Sequence, residues 1–516
     1  MARINSNIPS LIAQSNLQRS QADLDVRLER LSTGLRINRG RDDPAGLIIS
    51  ERLRNDIRGV EQAIKNADRA SSVIATTESA LTEVNDLLNS IRALMVESAN
   101  TGAFSEEERE ANQAQIDSAI DSITRISNTA RFGQLQVLNG GLDYQLSGVA
   151  TSAVSNATVN NATFIGTGAI QVDVDVVASA QKAGLFFRGM PNDSGSIDEE
   201  INLEIAGPDG VNVFTFAAGT ELSAIVRGIN NQTGFTGVEA ALNNPADHTS
   251  GMVFRSADYG AESFVSVLRQ GYTGPLPDPF QLQKLDNNAE VPTGVPFNWA
   301  NAALTGASRD TGQDVQALVN GVLARGNGLE VLVNSSGLGA ELLLNEDFAT
   351  DPTAADSTFY ITGGGALFQI GPDITVQQQT NIGIPSVAAS KLGGTLVGSS
   401  LQFLSSIKSG QGNSIAENVA NGNDFTVAQD ILTKSIDQIA ELRGRLGAFE
   451  RNVLQTSVNS MQTAFENLSA SESRIRDADF AFETSALTRA QILTSSGTSV
   501  LGIANQQSQQ VLQLLG

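Results

Sequence analysis

The chain has 516 residues and a formal net charge of -23, with 41% hydrophobic and 17% charged side chains. That length predicts about three or four domains, and the composition is too apolar for a disordered chain yet contains no run approaching a membrane span. Cysteine is absent and His248 is the only histidine, which excludes disulfides, thiol chemistry and Cys/His zinc sites.

The opening residues, MARINSNIPSLIAQ, have no charged segment leading into an apolar core with a small-residue cleavage site. The expectation is a chain that stays in the cytoplasm or leaves by a route that keeps its N-terminus. Residues 1 to 35 read as a first helix: Leu17, Leu24 and Leu31 repeat every seven positions with Leu28 and Leu35 on the same side, and Gly34 marks its end. In the turn NRGRDDPAG, Asp42, Asp43 and Pro44 form a helix start, with acids where the helix dipole favours them and proline where a missing amide costs nothing. A helix from about Ala45 to Asn100 follows, carrying an apolar stripe from Leu47 and Ile48 through Val60 and Ile74 to Leu94 and Met95. Thr101 and Gly102 break it, and Ser105 with Glu106, Glu107 and Glu108 opens another helix to about Ala130.

From residue 133 to about 400 the texture changes to Gly, Asn, Thr and short alternating runs. Gln171 to Val177 (QVDVDVV) and Val211 to Phe216 (VNVFTF) read as strands, Leu222 to Asn230 and Val315 to Val322 as short helices. A stretch dense in proline and glycine, Gly274 to Pro296, suggests two subdomains, 142–273 and 274–365. Residues 141 to 420 hold 27 acids against 10 bases, and so carry -17 of the net charge. So acidic a middle repels nucleic acid and anionic membrane, which are not expected partners. Helical periodicity returns from about Val427 through Ile431, Ser435, Ile439, Leu442, Leu446 and Phe449 to Ile475, the returning partner of the helix from Ala45 to Asn100. The last segment, Ser485 to Gly516, carries two rows seven residues apart: Ala490, Gly497, Ala504 and Val511, and Leu493, Val500, Gln507 and Leu514. Arg489 is its only charge, so the helix wants partners on several sides and pairs naturally with the first.

The fold class expected is α+β: long antiparallel helical ends in a hairpin or coiled coil, with a β-rich α+β head of two subdomains inserted between them. Catalysis has little support. Gly363 to Gly365 lack the phosphate-binding pattern and read as turns, and Asp173 and Asp175 read as one solvated strand face rather than a calcium site. A lone histidine makes no HExxH site. No catalytic, cofactor or metal residue is assigned, and no enzyme is expected.

The segments LERLSTGLRINRGRDDPAGLIISERL (Leu28 to Leu53), IRALMVESANTG (Ile91 to Gly102) and SRIRDADFAFETSALTRAQILTSSGTSVLGIANQQSQQVLQLL (Ser473 to Leu515) resemble the two ends of the bacterial flagellins, subunits of the flagellar filament. The stretch from Ile201 to Ala240 resembles a motif shared by flagellins and hook-associated proteins. The resemblance implies an inner-tube coiled coil at about 1–42 and 476–516. It implies an outer-tube helical domain at 43–141 and 366–475, with a β-hairpin whose two sides resemble Arg131 to Gly140 and Phe368 to Ile384. It further implies a homopolymer with axial and lateral neighbours, assembled through a seam of Leu17, Leu24, Leu28, Leu31, Leu35, Ala490, Leu493, Val500, Ala504, Val511 and Leu514. Type III export to an extracellular filament, an export chaperone on the C-terminal helix, and contacts with filament cap and hook–filament junction proteins come with the family. A junction protein, or a filament subunit with an adhesive or glycan-bearing head, is the alternative. Flagellins detected by the vertebrate Toll-like flagellin receptor carry an arginine and a glutamate on an exposed helical face. The matching positions here are Ser90 and Gln115, while Leu94 is kept.

Overall fold

The structure, a computed structural model, describes residues 7–164, 168–188, 195–244, 250–272, 280–285, 299, 304–335, 337–397 and 400–515; for 508–515 it describes the helical backbone only. The longer helices are α1 (Ile8–Thr33), α2 (Pro44–Ser98), α3 (Glu106–Thr129), α4 (Leu222–Asn230), α5 (Thr426–Phe449), α6 (Gln455–Arg476) and α7 (Phe480–Leu515). The chain divides into two compact units, one of residues 1–70, 369–378 and 451–516, the other of 71–368 and 379–450.

In the first unit, local chemistry sets the helix ends. The Asn7 side chain accepts from the Ser10 amide at 3.2 Å to open α1, and Gly34 closes it at φ +73°, donating its amide to the Arg30 carbonyl. The Asp43 carboxylate accepts from the Gly46 amide at 2.9 Å at the start of α2, while Asp42 gathers the amides of Asn38 and Arg39 and so fixes the turn before it. The first part of α2 lies antiparallel to α6. Val60, Ala63 and Ala67 pack on Val458 and Met461, and Arg476 reaches back to Glu51 at 2.9 Å.

In the second unit, the rest of α2 buries Ile74, Thr77, Leu81, Val84, Leu88, Ile91 and Met95, spaced three and four residues apart as one helix face requires. Helix α3 is opened by a capping box in which Ser105 accepts from the Glu108 amide and Glu108 from the Ser105 amide. Helix α5 returns antiparallel to α2: a Cβ on Gly447 would lie 3.5 Å from Glu78, and Asn423 donates to the Ala99 carbonyl at 3.0 Å. A π-helical turn, Glu450–Leu454, joins α5 to α6.

The head is antiparallel throughout its described strands and has two cores. One lies with two sheets, ordered 322–323, 316–319, 170–178, 357–364, 144–147 and 325–327, 330–334, 338–344, 154–162. The other lies with 304–306, 282–285, 184–187, 252–256, 238–242 and 309–311, 264–270, 201–207, 210–216, together with α4. The strands expected at 171–177 and 211–216 and the helix at 222–230 are therefore present.

Three expectations are corrected here. The head cores are nested and not successive: residues 183–311 build the second core between two parts of the first, so a division at 273/274 does not separate them. The chain passes between the cores at Gln181 and Gln313, which pair backbone to backbone at 2.9 Å in both directions. The proline-rich Gly274 to Pro296 stretch, outside the described residues except at 280–285, connects strands of the second core and marks no boundary. The segment from Val315 to Val322 is a hairpin and not a helix. Strand 316–319 pairs with 170–178 and turns at Asn320 and Gly321, both at positive φ (52° and 75°), as a two-residue Asn-Gly turn requires. The two stretches expected to pair as one β-hairpin each fold back on themselves, 131–132 on 135–136 and 366–369 on 379–382, and meet through a bridge between Leu142 and Ile384.

Candidate assembly surface

Helices α1 and α7 of the first unit run side by side along most of their length. At the open end Asn7 donates to the Ala504 carbonyl at 3.0 Å and Ser10 to Asn505 at 2.8 Å. At the other end Leu35 and Asp477 form a β-bridge, and the Ala478 amide donates to Gly34 at 2.9 Å. The small row of α7 faces α1: Ala490 and Ala504 are buried, and a Cβ on Gly497 would meet Leu17 Cδ1 at 3.3 Å. Small side chains here let the two backbones come close.

The row continues one step beyond the segment singled out in the sequence, to Glu483. This carboxylate is almost fully enclosed and takes hydrogen bonds from Arg27 at 2.9 Å and Arg30 at 3.0 Å. Burial alone would raise its pKa, but the two guanidinium groups outweigh it and hold the carboxyl below the usual glutamate range. Sequence reasoning missed this ion cluster, although counting back seven from Ala490 finds it.

The expected seam residues therefore fall into two groups. Leu17, Leu24, Leu31 and Leu35 are half-buried and Ala490 and Ala504 buried, whereas Leu28, Leu493 and Val500 face outward, the last two 50% and 53% exposed. Val511 and Leu514 belong to α7, but their side chains lie outside the described residues. A pair of helices can bury only one stripe of each against the other; what remains is an open apolar face on α7, with single exposed apolar side chains on α1. Ile8, Leu11, Ile12 and Leu28 of α1 and Phe480, Phe482, Ile492, Leu493, Val500 and Ile503 of α7 are all exposed. So much exposed apolar surface on one helix pair marks an interaction site.

In the second unit, Ser90 and Gln115 are exposed and Leu94, one turn from Ser90, is half-buried. Asp173 is taken up by its neighbours, accepting from Gln171 at 2.9 Å and Thr358 at 2.7 Å, and these bonds lower its pKa. His248 lies outside the described residues. Among the described residues no group of carboxylates and histidines has the geometry to hold a metal ion, and no helix is long and apolar enough to cross a membrane.

Comparison with known proteins follows the same lines. Family models match at residues 4–142 (bacterial flagellin N-terminal helical region), 202–258 (flagellin hook IN motif) and 429–515 (bacterial flagellin C-terminal helical region), together more than half of the chain. The flagellin of Salmonella typhimurium is 28% identical over 544 residues, and the B-type flagellin of Pseudomonas aeruginosa is 29% identical over 520. Each alignment covers 99% of both chains. Among solved structures, FlgL of Xanthomonas campestris is 11% identical with a TM-score of 0.26, over 80% of this chain and 97% of that one.

Proposed function

The chain belongs to the bacterial flagellin family, and on that premise we infer that it is the structural subunit of a flagellar filament, assembled through the open apolar face of α7. That face is the observation that carries the reading. The small row of α7 is used inside the chain, while Leu493, Val500 and the exposed residues beside them are left for neighbouring copies. At about 25 cal/mol per Å² of apolar surface, covering such a face on successive subunits drives assembly. Contacts that do not close on themselves build an open helix instead of a ring.

The function is mechanical and not catalytic. The filament lies outside the cell and serves motility. Export through the flagellar type III channel, a cytoplasmic chaperone shielding α7 before export, and meetings with cap and hook–filament junction proteins are the partners this reading adds. The alternative of a junction protein is not favoured, because relatives named flagellin align with nearly the whole chain.

The test is seeded elongation. Purified full-length chain with short filament fragments is imaged by electron microscopy beside a chain lacking residues 485–516. Growth of long filaments by the full chain alone is the expected result; failure of both to grow would remove the filament-subunit reading.

A further inference from the structure

Within the second unit, the head meets α5 along a charged stripe. Asp430, Lys434, Glu441 and Arg445 recur at helical spacing on α5, and Asp424 precedes it. Contact is made at three levels. A Cβ on Gly234 would lie 3.6 Å from Thr426 Oγ1, Lys434 Nζ lies 3.6 Å from Glu330, and Arg445 Nη2 donates to the carbonyls of Asn160 and Gly383 at 3.2 Å each. Arg445 is half-buried, and its two acceptors come from different segments: Asn160 from strand 154–162, and Gly383 from the chain following strand 379–382. One side chain thus ties α5 to the head and to the root of the head.

The charges around this pin are mostly of one sign. Glu341 of the head is faced by Glu441 and Glu330, with Arg445 and Lys434 opposing them. Asp430 is faced by Asp258, Asp209 and Asp424, with Lys434 opposing. Asp143, at the head's first strand, has Arg445 and Lys391 near it. Carboxylates meet carboxylates across this contact, and the cations are too few to neutralise them.

We propose that the head rides on α5 through an electrostatic joint, pinned by Arg445 and held slack by facing carboxylates, which tightens when those carboxylates are protonated or screened. The titration runs in the required sense. Desolvation, reinforced by the like charges named above, raises Glu341 and Asp430 above the ordinary carboxylate range, and desolvation raises Asp143 against the pull of Arg445. An acid whose pKa is raised on folding stabilises the joint fully at low pH, and that contribution is lost as pH rises through its folded-state value. Several of these carboxylates, Asp209, Asp258, Asp424 and Glu441, are solvent-exposed, so added salt damps their repulsion as well.

The absence of cysteine allows two spin labels to be placed cleanly in the full chain, through Ala440→Cys on the exposed side of α5 and Ala218→Cys on the head. The inter-label distance distribution is measured by pulsed electron resonance on dilute monomer. The expected result is a narrower distribution at about pH 4 than at about pH 7.5, and narrowing at the higher pH when salt is raised from about 0.01 M to 1 M. Asp430→Asn with Glu341→Gln should be narrow at both pH values, and Arg445→Gln broad at both. A wild-type distribution unmoved by pH and salt overturns the proposal. So does full pH dependence retained in the double variant, or an Arg445→Gln distribution like that of the wild type.

Discussion

The Glu483 carboxylate accepts from the Arg27 guanidinium at 2.9 Å across the α1–α7 pair, with Arg30 closing the other oxygen. An enclosed acid among Ala490, Gly497 and Ala504 helps set the register of the pair, since sliding α7 by one turn would take it away from one of its two guanidinium partners. Replacing Glu483 by Gln should destabilise the pairing by about 1–3 kcal/mol, because two guanidinium groups lose their charged acceptor. Hydrogen exchange of α1 and α7 amides should quicken while α3 is unchanged. The acid's pKa is depressed, so its contribution is present above about pH 4.3 and is lost as pH falls through the folded value. Wild-type α1 and α7 should therefore loosen on acidification below about pH 4, and the Gln variant should be flat in that window.

The split of the α7 rows makes a second prediction, in which two kinds of substitution separate. Leu493→Ser with Val500→Ser removes side chains that are already exposed, so monomer stability should change by less than about 0.5 kcal/mol per site. Filament growth should suffer far more: each buried leucine or valine contributes about 1.5–3 kcal/mol, and the critical concentration should rise about tenfold for each 1.4 kcal/mol lost. Gly497→Val acts on the other face. Its Cβ would already crowd Leu17, and overpacking should cost about 1–3 kcal/mol in the monomer itself. Thermal unfolding and seeded elongation, run on both variants, check the pattern; equal monomer destabilisation would mean that the rows do not divide the work.

The helical ends were readable because their period is long and regular. Ser105 with Glu108, Asp43 with Pro44, and Gly34 each carry their cap in the sequence, and the structure uses all of them. The seam was read as one surface because a seven-residue repeat tells which residues share a helix face, not which neighbour lies against it. Glu483 was missed because an acid was not sought in an apolar row, and Arg445 because its acceptors are backbone carbonyls distant in sequence, which no spacing reveals. The nesting of the head cores was hidden for a related reason: strand pairing between 154–162 and 338–344 is non-local, and proline and glycine density does not say which strands pair.

The Asn320-Gly321 turn offers a third test. Asn320 holds φ +52° and uses both ends of its amide, accepting from the Asp173 amide at 2.8 Å and donating to the Gln171 carbonyl at 3.1 Å. Asn320→Ala should cost about 2–3 kcal/mol, roughly 1–2 for a left-handed alanine and about 1 for the lost hydrogen bonds. Asn320→Gly should cost less, since glycine keeps the conformation and loses only the bonds. Faster hydrogen exchange confined to strands 170–178 and 316–319 is the expected signature.

The exposed helical face of the second unit supplies the last test. By the resemblance to flagellins that the Toll-like receptor detects, Ser90 and Gln115 are the positions expected to match their arginine and glutamate. Both side chains are exposed here, so nothing in the fold prevents a charged replacement. Serine is too short to place a guanidinium on a partner, and glutamine keeps the shape of glutamate without its charge. Arginine is among the residues that dominate interfaces, and losing such a contact typically costs 2 kcal/mol or more, about thirtyfold in affinity. The unaltered chain should thus activate receptor-bearing reporter cells weakly. Ser90→Arg with Gln115→Glu should lower the half-maximal dose by about tenfold or more, and adding Leu94→Ala should reverse much of that gain, because Leu94 lies one turn from Ser90 and is by the same resemblance the expected apolar contact. A dose response identical for the chain and the double variant would show that these positions do not form the recognised face.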